Sequence, residues 1–119
     1  MKQRYWTLAQ DGGGEAEEKV RAVVVGYGPV GQTLTRILKD FGIKPVIIEM
    51  NINTVKSLKD MEYQAIYGDG SRMEILEAAG VKDAEYLLVT LPDASTNTPI
   101  AKYAREINPD IRVFVRARY

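Results

Sequence analysis

From position 21 onward, short apolar runs rich in valine and isoleucine alternate with longer runs whose apolar residues recur at helical spacing. Short connections between such runs imply parallel strands joined by right-handed crossover helices, which cover both faces of the sheet. Strands covered on both faces do not alternate polar and apolar residues, and the short apolar runs of this chain show no such alternation. The pattern predicts an α/β fold of the Rossmann type: a doubly wound parallel sheet in three α/β/α layers, with strand order 3-2-1-4-5.

Turn and capping residues indicate where these elements begin and end. Asn53 is expected to cap the second helix, and Gly80 to follow the end of the third. The polar residues 95–97 are expected to cap the fourth helix rather than to contact a ligand. The predicted strands are 21–25, 44–49, 64–67, 84–90 and 111–117. The predicted helices are 30–41, 54–61, 72–80 and 95–107.

The first twenty residues differ in composition from the rest of the chain. A short apolar cluster, Tyr5, Trp6 and Leu8, precedes a run of glycine and acidic residues at 11–18 that has no strand or helix period. We expect residues 1–20 to be an N-terminal segment with a flexible linker. The 119 residues of the chain suffice for one compact domain and not for two, so 21–119 is predicted to be a single domain.

Charge and composition exclude several classes of function. Sixteen lysines and arginines balance sixteen aspartates and glutamates, so the chain lacks the positive charge typical of nucleic-acid binding. Without histidine and cysteine, the chain cannot form disulfides, thiolate nucleophiles, imidazole-based triads or zinc sites built on sulfur or imidazole. No apolar run approaches the roughly 20 residues that cross a bilayer. We expect a soluble chain with no metal, no nucleic-acid partner and no direct membrane insertion.

Three glycines, Gly26, Gly28 and Gly31, follow the first predicted strand and open the first predicted helix with the spacing G-x-G-x-x-G. At such a turn the first glycine makes the bend, the second lets the backbone approach a phosphate, and the third lets the helix pack close to the sheet. The helix N-terminus adds free amides and the positive end of its dipole. The segment therefore predicts a phosphate-binding loop.

An acidic residue, Glu49, ends the second predicted strand. A carboxylate at this position accepts hydrogen bonds from ribose hydroxyls and repels a 2′-phosphate. The combination favours NAD(H) or an adenine mononucleotide over NADP as the ligand. The alternative is that Glu49 is a solvated acid at a strand end.

Several motifs in order make the chain resemble a known family. They are GYGPVG, the strand-end acid of VIIE, YGDGSRMEILEAAGVKDAE, VTLPD and VRAR, and the likeness covers residues 21–119. The chain is similar to the nucleotide-binding RCK (TrkA-N) domains, and most of all to those of Kef-type monovalent cation:proton antiporters. The segment YGDGS followed by L-x-x-A-G is the most diagnostic, because ordinary dehydrogenases have no counterpart at that spacing. Relatives continue into another helix and strand, so the resemblance implies a sheet truncated at its final strand.

The resemblance also assigns roles to individual residues. The phosphates would lie on the glycine loop, the ribose on Glu49, and the adenine between two pairs of residues. The end of the fourth strand would contact the phosphates or a second ribose, and the fifth strand would bring a positive charge. The residues so implied are Gly26, Tyr27, Gly28, Pro29 and Val30 for the phosphates, Met50 with Asn51 and Asp69 with Gly70 for the adenine, then Thr90 and Arg116.

Pro29 departs from the family pattern, because many relatives carry arginine there. Proline supplies neither a charge nor an amide donor, which leaves Arg116 as the main counter-charge. AMP, with one phosphate, is therefore as good a candidate as NAD(H), and other adenine nucleotides stay open. Two assignments have structural alternatives: Asp69 can form an Asx-turn or cap the helix at Arg72, and Arg116 with Arg118 can be a solvated strand end.

The resemblance implies a regulatory nucleotide sensor rather than an enzyme. Such a domain would bind an adenine nucleotide, pair as a homodimer, and bias a potassium or monovalent cation transporter domain of the same longer chain. It would lie at the cytoplasmic face of the inner membrane. Regulation of this kind requires only a difference in affinity between two conformations. The alternatives are the NAD-binding half of a truncated oxidoreductase, which the YGDGS and VRAR motifs disfavour, and a stand-alone dimer that buffers nucleotide.

Overall fold

The computed structural model describes residues 20–117, in which it contains five strands, four α-helices and one 3₁₀ helix. In chain order they are β1 Arg21–Val25, α1 Pro29–Asp40, β2 Lys44–Glu49, α2 Ile52–Asp60, β3 Gln64–Tyr67, α3 Met73–Ala78, the 3₁₀ helix Val81–Asp83, β4 Tyr86–Val89, α4 Ala94–Ile107 and β5 Arg112–Val115. The predicted N-terminal segment and linker, 1–20, lies outside the described residues except for Val20, as do Arg118 and Tyr119.

The strands are all parallel and lie in the order β3-β2-β1-β4-β5. β1 is central, with Val23 opposite Val46 of β2 on one side and opposite Leu87 of β4 on the other. Residues 22–25 of β1 are buried because helices cover both faces of the sheet. The predicted fold class and the strand order 3-2-1-4-5 are confirmed.

Two apolar clusters fill the space between the sheet and its helices. On one face, Leu34 of α1 and Leu58 of α2 pack with residues of the sheet that include Val24. On the other face, Leu76 of α3 and Ile100 of α4 pack with the alternate residues of the same strands. The chain thus changes face between β3 and β4. This change creates a crevice at the carboxyl ends of β1 and β4, where ligands of such sheets bind.

Two helix caps differ from the sequence prediction. Asn51, and not Asn53, caps α2, because Oδ1 of Asn51 accepts a hydrogen bond from the amide of Asn53 at 2.9 Å. Asp93 caps α4 in place of the polar residues after it, because Oδ1 of Asp93 accepts from the amide of Ser95 at 2.9 Å. In both helices an earlier polar residue is the cap, so α2 and α4 begin sooner than predicted.

The third α-helix is short. α3 has only 6 residues. Gly80 follows its C-cap in the left-handed conformation, with φ +83°, as predicted. The 3₁₀ helix that comes next was not predicted. Across residues 20–117, the longest helix has 14 residues, and none is long and apolar enough to cross a membrane.

Candidate functional site

The turn after β1 carries the first glycine of the motif. Gly26 has φ +100°, which residues with a side chain rarely adopt, and its amide donates to the carbonyl of Ile48 at 2.9 Å. A methyl group on Gly26 would lie 2.6 Å from Oγ1 of Thr90. The buried Thr90 hydroxyl donates to the carbonyl of Val25 at 2.8 Å. Gly26 therefore makes the predicted bend, and Thr90 holds it against β4.

The other two glycines have contrasting surroundings. A methyl group on Gly31 would overlap the backbone carbonyl of Gly26, so only glycine lets α1 pack against the turn. This confirms the predicted packing role of Gly31. A methyl group on Gly28 would meet no atom within 4 Å. The loop therefore has an open side at Gly28. A phosphate can approach the backbone only where such a side is open. The phosphate-binding role of Gly28 stays a prediction.

Unused backbone donors lie at the amino end of α1. The first hydrogen bond of the helix runs from the amide of Gln32 to the carbonyl of Gly28, at 2.8 Å. Within residues 20–117, the amides of Gly28, Val30 and Gly31 have no protein acceptor, and Pro29 has no amide hydrogen. These donors and the positive end of the helix dipole lie beside the open side of the loop. Such an arrangement can bind an anion.

The carboxylate of Glu49 connects the glycine loop to the start of α2. Its Oε1 accepts a hydrogen bond from the amide of Tyr27 at 3.0 Å, and its Oε2 accepts from the amide of Asn51 at 2.8 Å. The amide of Tyr27 is therefore engaged with Glu49. Each carboxylate oxygen keeps a second acceptor position, so Glu49 can still receive ribose hydroxyls. Glu49 is thus held by two backbone contacts and is more than a solvated strand end.

Asp69 forms the predicted Asx-turn. Its Oδ1 accepts from both the amide and the hydroxyl of Ser71, at 2.9 and 2.7 Å. The hydrogen bonds from the Ser71 amide and then its hydroxyl hold the pKa of Asp69 below its usual value. Asp69 does not cap α3, whose N-cap is Arg72. Its Oδ2 makes no hydrogen bond in the part of the chain that the structure describes, and that oxygen can accept from a ligand.

Three further predicted residues border the same crevice. The side chain of Arg116 donates from Nη1 to the carbonyl of Thr90 at 3.3 Å, which holds its guanidinium at the carboxyl end of β4. Met50 directly follows Glu49 and is 64% exposed, so it offers apolar surface there. Gly70 is buried against Val25 of β1.

The carboxyl ends of the parallel strands bring the predicted residues together. The glycine loop follows β1, Glu49 ends β2, Asp69 follows β3, and Thr90 follows β4. The amide of Gly68 donates to the carbonyl of Glu49 at 3.1 Å and so fixes the chain that leads to Asp69. The site residues named from the sequence therefore share one edge of the sheet.

One buried polar residue near this edge, Asn97, has a different role from the helix cap that the sequence predicted, because Asp93 caps α4. Asn97, in the second turn of α4, is 1% exposed, and its Nδ2 donates to the carbonyl of Leu91 at 2.7 Å. The loop after β4 is held in place by this bond. Asn97 lies three residues before the buried Ile100 on the same face of α4, and that spacing was the available signal.

Comparison with known proteins identifies relatives. The family model of the TrkA-N domain matches residues 22–119. The glutathione-regulated potassium-efflux system protein KefC of Enterobacter sp. (strain 638) is 34% identical over 102 residues, which are 86% of this chain and 16% of that protein. The chain thus spans about a sixth of the length of this curated relative.

Two solved structures are similar to this one. The TrkA-N domain of the inner membrane protein ybaL from Escherichia coli has a TM-score of 0.81 and 33% identity, over 87% of this chain and 77% of that chain. The Kef CTD of Shewanella denitrificans, in its AMP-bound form, has a TM-score of 0.72 and 28% identity, over 82% of this chain and 58% of that chain. Sequence and fold agree over almost the whole domain, and the chain belongs to the TrkA-N domain family.

Proposed function

We propose that this chain is a regulatory domain that senses an adenine nucleotide, AMP or NAD(H). The observation that carries the proposal is the unused amides at the start of α1 beside the carboxylate of Glu49, at the ends of two adjacent strands. A phosphate can accept hydrogen bonds from these amides, and ribose hydroxyls can donate to the carboxylate. The AMP-bound Kef CTD supports the same class of ligand.

The nucleotide would lie across the carboxyl ends of the strands. Its phosphate would accept hydrogen bonds from the amides of Gly28 and Val30. Its ribose hydroxyls would donate to the remaining acceptor positions of Glu49. Its adenine would lie beside Met50, with the exocyclic amino group donating to Oδ2 of Asp69. Regulation then requires no catalytic residue, only a difference in nucleotide affinity between two conformations.

The number of phosphates follows from the donors near the loop. Pro29 removes one amide from the start of α1, and Arg116 is the cation that the predicted site contains. One phosphate can be satisfied by the loop amides alone, whereas a diphosphate would also need the guanidinium of Arg116. AMP and NAD(H) therefore differ in their dependence on Arg116, and Arg116→Gln is expected to weaken NADH binding more than AMP binding.

Calorimetry tests the proposal directly. We expect AMP or NADH to bind with a Kd in roughly the micromolar range. NADP is expected to bind more weakly than NAD, because its 2′-phosphate would meet the carboxylate of Glu49. UMP serves as the control for the base. The absence of binding heat with AMP, ADP, ATP, NAD and NADH alike would contradict the proposal.

Replacing Asp69 by asparagine separates its two roles. Asparagine keeps an Oδ1 that accepts from Ser71, so the turn and the stability of the fold are expected to be nearly unchanged at neutral pH. The second oxygen becomes an amino group, which repels the adenine amino group, so affinity for AMP is expected to fall about tenfold. Titration of the variant with AMP and with inosine monophosphate measures this. Unchanged affinity for AMP would show that Asp69 stabilises the turn and does not contact the adenine.

The same comparisons support a further part of the proposal, namely that the domain regulates a monovalent cation transporter. One relative is a potassium-efflux system protein, and another is a domain of an inner membrane protein. We place the domain at the cytoplasmic face of that membrane as part of a longer chain. Ion flux in vesicles that hold the full-length protein should respond to AMP or NADH, and Gly28→Ala should remove the response. An ion flux that is the same with and without each adenine nucleotide would contradict the proposed regulation of a transporter.

We also propose that the domain pairs as a homodimer. Ile37 of α1 lies four residues before Phe41, the C-cap of that helix, and Phe41 is 78% exposed. Exposed apolar side chains of this size are typical of interaction surfaces. Light scattering at increasing protein concentration should give the mass of a dimer, and Phe41→Ser should shift it toward the monomer. A monomer at all concentrations would rule the pairing out for this chain.

A further inference from the structure

A cavity lies at the opposite end of the sheet from the glycine loop. It has a volume of about 370 Å³, and its walls come from the amino ends of β1 and β3 and from the carboxyl ends of α2 and α3. Arg21 begins β1 and lines the cavity, whereas the glycine loop follows Val25, about 13 Å further along the strand. The volume is in the range that binds small molecules. This cavity is therefore separate from the nucleotide crevice.

The charged side chains that line the cavity are both positive. They are Arg21 and Lys59, and no carboxylate of the described residues lines it with them. A third cation stands close by, because the ammonium of Lys39 lies 4.9 Å from the ring centroid of the lining residue Tyr63. Among residues 20–117 the salt bridge that forms is Arg72 with Glu74, so these three cations have no ion-pair partner there. These cations lie at the cavity although the chain as a whole has no net charge.

The remaining walls are mostly apolar. Val46 of β2 and Ala65 and Ile66 of β3 contribute on the sheet side, and Ala79 contributes from the end of α3. An inorganic ion alone would make no use of these side chains. A ligand that carries an anionic group on a short apolar body would use both the cations and the walls.

The positions of the two cations also have a simpler explanation. Lys59 lies in the last turn of α2, and the guanidinium of Arg21 lies near Gly80, where a methyl group would be 3.5 Å from Nη1. Cations near the carboxyl end of a helix stabilise its dipole. Stabilisation of the helix dipole accounts for the two charges but not for the cavity between them. If that were their only role, the cavity would bind no anion, whereas a ligand site would.

We propose that this cavity is a second ligand site, which binds a small organic anion with a carboxylate or phosphate group on a short apolar body, through Arg21 and Lys59. Its distance from the glycine loop makes it independent of the nucleotide. A ligand there would contact α2 and also β3 and α3, which lie on either side of the loop with Asp69.

Amide NMR of the ¹⁵N-labelled chain tests the site with defined probes. Benzoate and phenyl phosphate are the anionic probes, benzyl alcohol is the neutral one, and inorganic phosphate lacks the apolar body. We expect saturable shifts of the amides of Gln64 and Gly80 with one or both organic anions, and much weaker shifts with the other two. The pair of anions also distinguishes a carboxylate from a phosphate ligand. Saturating AMP should leave these shifts in place.

Variants of the cations complete the test. Arg21→Gln with Lys59→Gln should weaken probe binding about tenfold or more, since two charge-assisted contacts are lost. Lys102→Gln, which changes an exposed lysine of α4 away from the cavity, should bind as the original chain does. Each single variant and its thermal unfolding are measured as well, so a loss of fold is recognised. Equal shifts with benzyl alcohol, loss of the shifts with AMP, or variants that lose stability but keep binding would overturn the proposal.

Discussion

Gly28→Ala is expected to abolish nucleotide binding while the fold stays intact, and Gly31→Ala is expected to destabilise the fold itself. Gly28 has φ −74°, which alanine adopts readily, and a methyl group there meets no protein atom within 4 Å. The free energy of unfolding should therefore change by less than about 1 kcal/mol. The methyl group would instead occupy the open side of the loop, where the phosphate would lie.

The alanine at position 31 has the opposite effect because its methyl group overlaps a backbone carbonyl, that of Gly26. A side-chain neighbour could rotate away, but a carbonyl in a tight turn cannot. We expect a loss of about 3 kcal/mol in unfolding free energy, at the upper end of the usual cost of overpacking. Urea unfolding and titration with AMP, on both variants, measure the contrast. If Gly28→Ala binds AMP as tightly as the original chain, the phosphate does not lie on the glycine loop.

Glu49→Gln should lower nucleotide affinity more than stability. The two carboxylate oxygens accept the amides of Tyr27 and Asn51. A glutamine side chain has one acceptor oxygen, so one of these amides would face an amino group. Both contacts are partly exposed, so we expect a loss of about 1 kcal/mol in unfolding free energy. Affinity for AMP should fall at least about tenfold, because the ribose loses a charged acceptor and the loop loses its support.

Two measurements distinguish these contributions of Glu49. Binding of adenosine, which has a ribose but no phosphate, reports on the ribose contact. Comparison of AMP with 2′,3′-dideoxy-AMP reports on the hydroxyls, and the difference between them should disappear in Glu49→Gln. Glu106→Gln, an exposed acid on α4, is the matched control and should behave as the original chain does. A variant at position 49 that still discriminates the two nucleotides would show that the ribose lies elsewhere.

The topology and the glycine loop could be predicted from the sequence because local patterns determine both. The alternation of apolar and helical runs allows few arrangements, and each glycine of the loop has one geometric task. The observed order β3-β2-β1-β4-β5 and the positive φ of Gly26 follow from those constraints. Capping was predicted less well, since Asn51 and Asn53 are equally good caps by residue type. The choice depends on where β2 ends, and there Glu49 binds the amide of Asn51.

The contacts within the site could not be predicted from the sequence. That the carboxylate of Glu49 binds the amide of Tyr27 depends on the register of β1 against β2, over a separation of 22 residues. The bond from Arg116 to the carbonyl of Thr90 likewise depends on the pairing of β4 with β5. Sequence patterns indicate which strand end a residue occupies. They do not indicate which of its acceptors other parts of the backbone already use.

The bonds of Glu49 and Thr90 to the glycine loop affect the thermodynamics of ligand binding. Both side chains hold the loop through the protein's own hydrogen bonds, at 3.0 Å to the amide of Tyr27 and 2.8 Å to the carbonyl of Val25. When the loop is already in position, ligand binding costs little conformational entropy of the loop. In the proposed site, affinity would then be set by the contacts to the phosphate and the ribose. If the domain senses a nucleotide as proposed, its response would not have to wait for a segment of the loop to fold.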